Sequence, residues 1–75
     1  MAASLFNRYI WLVDTIYRAG AISREEIDRR WTRSQYNDLH ESGIPDRTFH
    51  RHKEAIREIF DIEIAVTATA ETSIT

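Results

Sequence analysis

Residues 44–64 read IPDRTFHRHKEAIREIFDIEI, and the placing of this stretch decides the fold. Ile44-Pro45 cannot carry a helix across that boundary, because proline biases the residue before it toward extended backbone. Asp46 is expected at the N-cap, where a short carboxylate can accept from free backbone N–H groups. A helix over about 46–60 follows. Wound at ~100° per residue, it gathers Phe49, Ile56 and Phe60 on one face, with Ile59 at the edge. Arg47, Arg51, Glu54 and Glu58 fall on the opposite face, flanked by His50 and Arg57. Beyond Phe60 the period becomes two: Ile62, Ile64 and Val66 alternate with Glu63, Ala65 and Thr67. This predicts a strand over about 62–67. Small residues from Ala68 to Thr72 can turn the chain into a returning strand at about 72–75.

Upstream, two more helices are expected. Leu5, Tyr9, Leu12, Val13 and Ile16 recur at helical spacing, which predicts a helix over about 4–19. Phe6, Ile10, Val13 and Tyr17 form a second, adjoining apolar stripe, and Trp11 lies roughly opposite the first. Gly20 is placed to end the helix in the left-handed conformation. Ser23 followed by Glu26 makes a capping box, with Ile22 and Ile27 as the hydrophobic staple around it. A second helix over about 24–33 continues through Trp31 and carries Arg29, Arg30 and Arg33 on its outer faces. Residues 34–45, SQYNDLHESGIP, are turn formers. Tyr36 and Leu39 are expected to pin this loop to the core.

The chain has 75 residues, no cysteine, 43% hydrophobic residues and a net charge of −2. That is one small domain without disulfide or thiolate-metal staples. No membrane span and no signal segment are evident, so a cytoplasmic protein is expected. Charge is unevenly spread. Arg47, Arg51, Lys53 and Arg57 against Glu54 leave residues 47–57 at +3, whereas residues 58–75 carry Glu58, Asp61, Glu63 and Glu71 with no base, −4.

Helix, helix, loop, helix and strand pair, in that order, describe a mainly α fold with a small β-hairpin: a three-helix winged helix-turn-helix. Such a domain presents its third helix to the major groove of double-stranded DNA. The outward face then offers Arg47, Thr48, His50 and Arg51, and arginine suits the paired acceptors of guanine. Lys53, at the edge of the core face, can reach past Phe49 toward the DNA backbone, and Arg57 can join it. Arg29, Arg30 or Arg33 add steering charge. The hairpin holds no Lys or Arg. The hydroxyls of Thr67, Thr69 and Thr72 either meet phosphate oxygens or the hairpin only packs.

His50 and His52 invite a metal or catalytic reading, but a spacing of two separates them by roughly 200° around a helix. A helical zinc pair needs a spacing of three or four, and no Ser or Cys nucleophile motif accompanies them. Even with His40 from the loop, neither a metal, a cofactor nor catalysis is expected. His50 is placed toward nucleic acid, and His52, at the edge of the core face, is expected to pack. The rival reading is a winged helix used for protein–protein contact through Trp11 and the hairpin, which the acidic tail favours.

The segments NRYIWLVDTIYRAGAISREEIDRRW (7–31) and IPDRTFHRHKEAIREIFDIEI (44–64) together resemble the N-terminal winged helix-turn-helix domain of bacterial transcriptional regulators that carry a C-terminal WYL domain. The resemblance implies a DNA-binding transcription factor, a homodimer when full-length, whose WYL-type sensor domain lies beyond Thr75. It also implies that Arg47, Thr48, His50 and Arg51 belong to the recognition helix. The tail VTATAETSIT departs from it, since similar proteins carry polar or basic residues in the wing.

Overall fold

The computed structural model describes residues 5–37, 40–67 and 71–74. Helix α1 (Leu5–Ala19) ends where Gly20 adopts φ +79° and donates its N–H to the Ile16 carbonyl at 3.0 Å. Glycine takes this left-handed conformation without a Cβ clash. Two residues later comes an element the sequence did not announce, the strand β1 (Ile22–Ser23). Ser23 also caps α2 (Arg24–Thr32), its Oγ accepting from the Glu26 N–H at 3.1 Å. The Glu26 carboxylate, expected to reach back and complete the capping box, is taken up by Arg29 at 2.7 Å and Arg30 at 3.3 Å.

The third helix, α3 (Asp46–Phe60), has the expected bounds but a different cap. Pro45 occupies the N-cap position with φ −57° and ψ 148°, and its carbonyl accepts from the Phe49 N–H at 2.8 Å. The proline ring fixes that extended entry without a side-chain cap, so Asp46 becomes the first helical residue. At the other end Asp61 closes α3 in the left-handed conformation, φ +57°, donating its N–H to the Arg57 carbonyl at 3.0 Å.

Strands β2 (Ile64–Val66) and β3 (Glu71–Ile74) form the expected antiparallel hairpin, shorter than the alternation suggests. Thr67 lies beyond β2, where its N–H donates to the Glu71 carbonyl at 2.7 Å and its Oγ1 accepts from the Glu71 N–H at 3.1 Å. The sheet has three strands in the order β1-β3-β2, so β3 pairs on both edges: Ile22 opposite Thr72, and Val66 opposite Thr72 from the other side. The expected start of α1 at residue 4, the pinning by Leu39, the hairpin turn at 68–70 with Thr69, and the last strand residue at 75 lie outside the described residues.

The core is built from all these elements. Leu12, Ile16, Ile22, Ile27, Trp31, Ile44, Phe49, Ile56 and Ile64 are buried, and Trp11, Tyr36 and Phe60 are among the half-buried residues around them. Of the first stripe on α1, Leu12 and Ile16 are inside, while Leu5 is 57% exposed. Most of the second stripe stays outside. The three helices and the small antiparallel sheet are compatible with a winged helix in number, order and topology. Among the described residues, no helix is long and apolar enough to cross a membrane.

Candidate nucleic-acid interface

The buried face of α3 fixes what its opposite face can present. Phe49, His52 and Ile56 are the buried residues of the helix, and they leave Arg47, His50, Arg51, Glu54, Arg57 and Glu58 exposed. Thr48 and Lys53 are half-buried at the boundary. The Lys53 Nζ stands 5.9 Å from the Phe49 ring centroid, the position expected of a stem lying along an apolar surface with its charge in water.

The basic residues divide into two sets. Arg47 and Arg51 are one turn apart on the N-terminal half of α3. His50, Lys53 and Arg57 share a groove of about 210 Å³ beside β2, together with Glu54, Glu63 and Ile64. Glu54, on the outward face of α3, is not left facing solvent alone. It reaches back one turn to His50, with Oε1 3.3 Å from Nε2. Lone pairs of that carboxylate therefore compete with any nucleic acid for the imidazole, and the groove is of mixed sign.

Pairing also separates the other arginines. Arg29 and Arg30 are both held by Glu26, which tempers the steering role expected of them. Among the described residues, Arg33, Arg47, Arg51 and Arg57 form no ion pair. Cations with no internal partner keep their full charge for an external anion.

The two histidines do point apart. His50 is exposed, and its neighbour His52 is buried edge-on against Tyr9, ring centroids 5.1 Å apart. Burial holds the His52 imidazole below its ordinary value of 6.5; the Arg8 guanidinium pushes the same way and Glu41 opposes both. His40 sits exposed in the loop at φ +54°. Among the described residues, no group of three or more His, Cys, Asp or Glu is placed to hold a metal ion.

Two parts of the expected picture change. Thr72 is fully buried, with Oγ1 enclosed and without a partner, so its hydroxyl cannot meet phosphate. Its central position in the sheet, paired from both sides, is the reason. Thr67 Oγ1 is engaged in closing the hairpin. Trp11 is half-buried and packs edge-on against Trp31 at 4.9 Å, which turns much of the residue inward.

What orients α3 is a cluster that the sequence did not reveal. The Arg24 guanidinium, at the start of α2, lies 4.0 Å over the Phe49 ring. Its Nη2 donates to the Ile44 carbonyl at 2.7 Å and to Asp46 Oδ1 at 3.2 Å, while Nη1 donates to Asp28 Oδ1 at 3.1 Å. Asp28 Oδ1 in turn accepts from the Ile44 N–H at 2.9 Å. One arginine and one aspartate of α2 thus hold both backbone groups of the residue that leads into α3. Gly43 belongs to this fit: a Cβ there would stand 2.9 Å from Asp28 Cγ.

The loop between α2 and α3 is tied by polar groups as well as by Tyr36. Buried Asn37 donates from Nδ2 to the Trp31 carbonyl at 3.1 Å and the Glu41 carbonyl at 2.8 Å, and its Oδ1 accepts from the Glu41 N–H at 2.9 Å. The Glu41 carboxylate then accepts from Trp31 Nε1 at 3.2 Å and from Arg8 at 3.0 Å. A buried amide that satisfies this many backbone groups specifies one loop path. In sequence only the Arg24–Asp28 spacing of four was visible, and nothing local named Ile44 as its target.

Compared with known protein families, curated proteins and solved structures, the chain matches none.

Proposed function

We propose that this chain is a winged helix-turn-helix DNA-binding domain, with α3 as the helix that enters the major groove. The observation that carries the reading is the pair Arg47 and Arg51. Both are exposed, both lie on the N-terminal half of α3 opposite its buried Phe49–Ile56 face, and among the described residues neither is paired with a carboxylate. Thr48 and His50 flank them as hydrogen-bonding residues, and Lys53 and Arg57 serve the phosphate backbone. The Arg24–Asp28 clamp supports the reading because a helix that reads bases must be held at a fixed angle to the rest of its domain.

The family resemblance extends the proposal to a bacterial transcriptional regulator with a WYL-type sensor domain, working as a homodimer. No catalytic step and no cofactor enters this mechanism. Binding by the isolated module is weak, given a net charge of −2, and its salt dependence counts the phosphates it neutralises.

The test is a titration of labelled duplex DNA at low salt with the wild-type chain and with Arg47→Ala/Arg51→Ala. Binding in the range of about 10⁻⁴–10⁻⁶ M is expected for sequence-independent contact, with at least a tenfold loss in the double variant. Circular dichroism melts of both proteins establish that the loss is not one of folding. Absence of binding by the wild type, or equal binding by a folded double variant, defeats the recognition-helix assignment.

A further inference from the structure

Glu54 interrupts the basic row on α3. At ~100° per residue Arg47, Arg51 and Glu54 fall within an arc of roughly 60°, opposite the buried Phe49–Ile56 face, and all three are exposed. Any approach that sets both arginines in the major groove therefore carries the Glu54 carboxylate in with them. Stability gives no reason for this position to be acidic. The side chains of His50 and Glu54 are 68% and 67% exposed, so their contact at 3.3 Å is that of two solvated groups. Glu58, one turn on, sets like charge against like on the same face. Among the described residues the second oxygen of Glu54, Oε2, enters no ion pair.

A carboxylate in that position can meet few groups on DNA. It repels phosphate, and it repels the acceptors that line the groove floor: guanine N7 and O6, adenine N7 and thymine O4. The amino groups of cytosine and adenine remain. The adenine N6 amino group stands between two acceptors, N7 of its own base and O4 of the paired thymine. The cytosine N4 amino group has an acceptor on one side only, guanine O6. A group that accepts and cannot donate is therefore best placed against cytosine. Spacing adds a pattern. Glu54 lies three residues after Arg51 and seven after Arg47, a rise of ~4.5 and ~10.5 Å along the helix. With base pairs ~3.4 Å apart, that is about one and about three steps.

We propose that Glu54 is a specificity-determining residue of the α3 surface, accepting from cytosine N4. The DNA it selects is a short G·C-rich duplex with guanines about one and about three steps from that cytosine. This rests on the reading of α3 as the recognition helix and adds to it the base that is read. Glu54 lowers affinity for duplexes at large by repelling phosphate, and restores it only where the cytosine is in place.

Selection from a random-sequence duplex library at low salt, followed by titration of the enriched duplex and its single-base variants, tests this. Wild type should enrich the pattern, and replacing the cytosine should weaken binding at least about fivefold. Glu54→Ala should lose the preference at that position alone, keep the guanines, and bind unselected duplex more tightly than wild type. Glu54→Gln should move the preferred base from cytosine to adenine, whose N6 and N7 together match a carboxamide. Position 54 is exposed, so both variants should keep the wild-type melting curve. An undiminished cytosine preference in Glu54→Ala, or enrichment by wild type of duplexes without such a cytosine, overturns the role of Glu54 even where Arg47→Ala/Arg51→Ala loses binding. Failure of the recognition-helix reading looks different: wild type then enriches nothing, or the arginine double variant binds as well as wild type, and the role of Glu54 falls with it.

Discussion

Replacing Arg24 by alanine should be among the most damaging substitutions of a charged residue in this protein. The side chain is only 24% exposed, so its contacts are not simply those of a solvated surface cation. Its hydrogen bond to the Ile44 carbonyl, at 2.7 Å, involves a charged donor and is worth about 1.5–3 kcal/mol. The guanidinium over Phe49 adds about 0.5–1 kcal/mol. The ion pairs with Asp28 and Asp46 add no more than a few tenths each, because Asp46 is fully solvated and Asp28 partly so. Water can reach part of the vacated site, and these contributions overlap. A net loss of about 2 kcal/mol is therefore expected, near the lower end of their sum. For a domain of this size that lowers Tm by roughly 8–16 °C. Arg24→Lys should recover less than half of the loss, since an ammonium cannot address the Ile44 carbonyl, Asp28 and Asp46 with one planar fork. Urea unfolding of the three proteins, followed by tryptophan fluorescence, measures the differences directly. Arg24→Ala within about 0.5 kcal/mol of wild type would mean that the clamp does not hold α3.

Two further outcomes follow from single residues. Burial lowers the pKa of His52, with Arg8 acting the same way, so the unfolded chain binds this proton more readily than the folded one. Stability should then fall as pH drops below about 6.5, with the loss complete only below the lowered folded value. Denaturation curves between about pH 7.5 and 5.5 should show this slope in the wild type and a flatter profile in His52→Leu; identical slopes would refute it. Asp61 holds a left-handed φ of +57° at the end of α3, which costs a residue with a Cβ more than glycine. Asp61→Gly should stabilise by about 0.5–1 kcal/mol in a thermal melt, whereas a neutral or destabilising result would show that the aspartate side chain compensates its backbone.

How much of this was legible in the sequence depended on how local each cause is. Helical spacing of apolar residues placed all three helices, because a residue's neighbours on its own face are three or four positions away. The inward turn of Phe49 and Ile56, the outward turn of Arg47 and Arg51, and the separation of His50 from His52 follow from the same geometry. The errors arose where the cause lies elsewhere in the chain. Strand β1 is two residues long and exists only because Thr72 and Glu71 come beside it. Thr72 reads as an exposed hairpin hydroxyl until strands on both sides bury it. Asp46 looks like an N-cap, and only the conformation of Pro45 and the reach of Arg24 from α2 give it another role. Trp11, placed opposite the first stripe, is drawn inward by Trp31, a contact between helices that periodicity within one helix cannot express.

The sheet order carries a kinetic meaning. Its middle strand, residues 71–74, comes last in sequence, and pairing Ile22 with Thr72 closes a loop of about fifty residues. The contacts within α1, α2 and α3 close over short distances along the chain, so they can form while residues 71–74 are still free. During synthesis α1, α2 and α3 emerge before residues 71–74, so the edges of β1 and β2 both wait for the same short strand. Until it arrives, Ile22 and Ile64 lack the strand that pairs beside each of them. Unpaired strand edges of this kind are the features that expose a folding chain to aggregation.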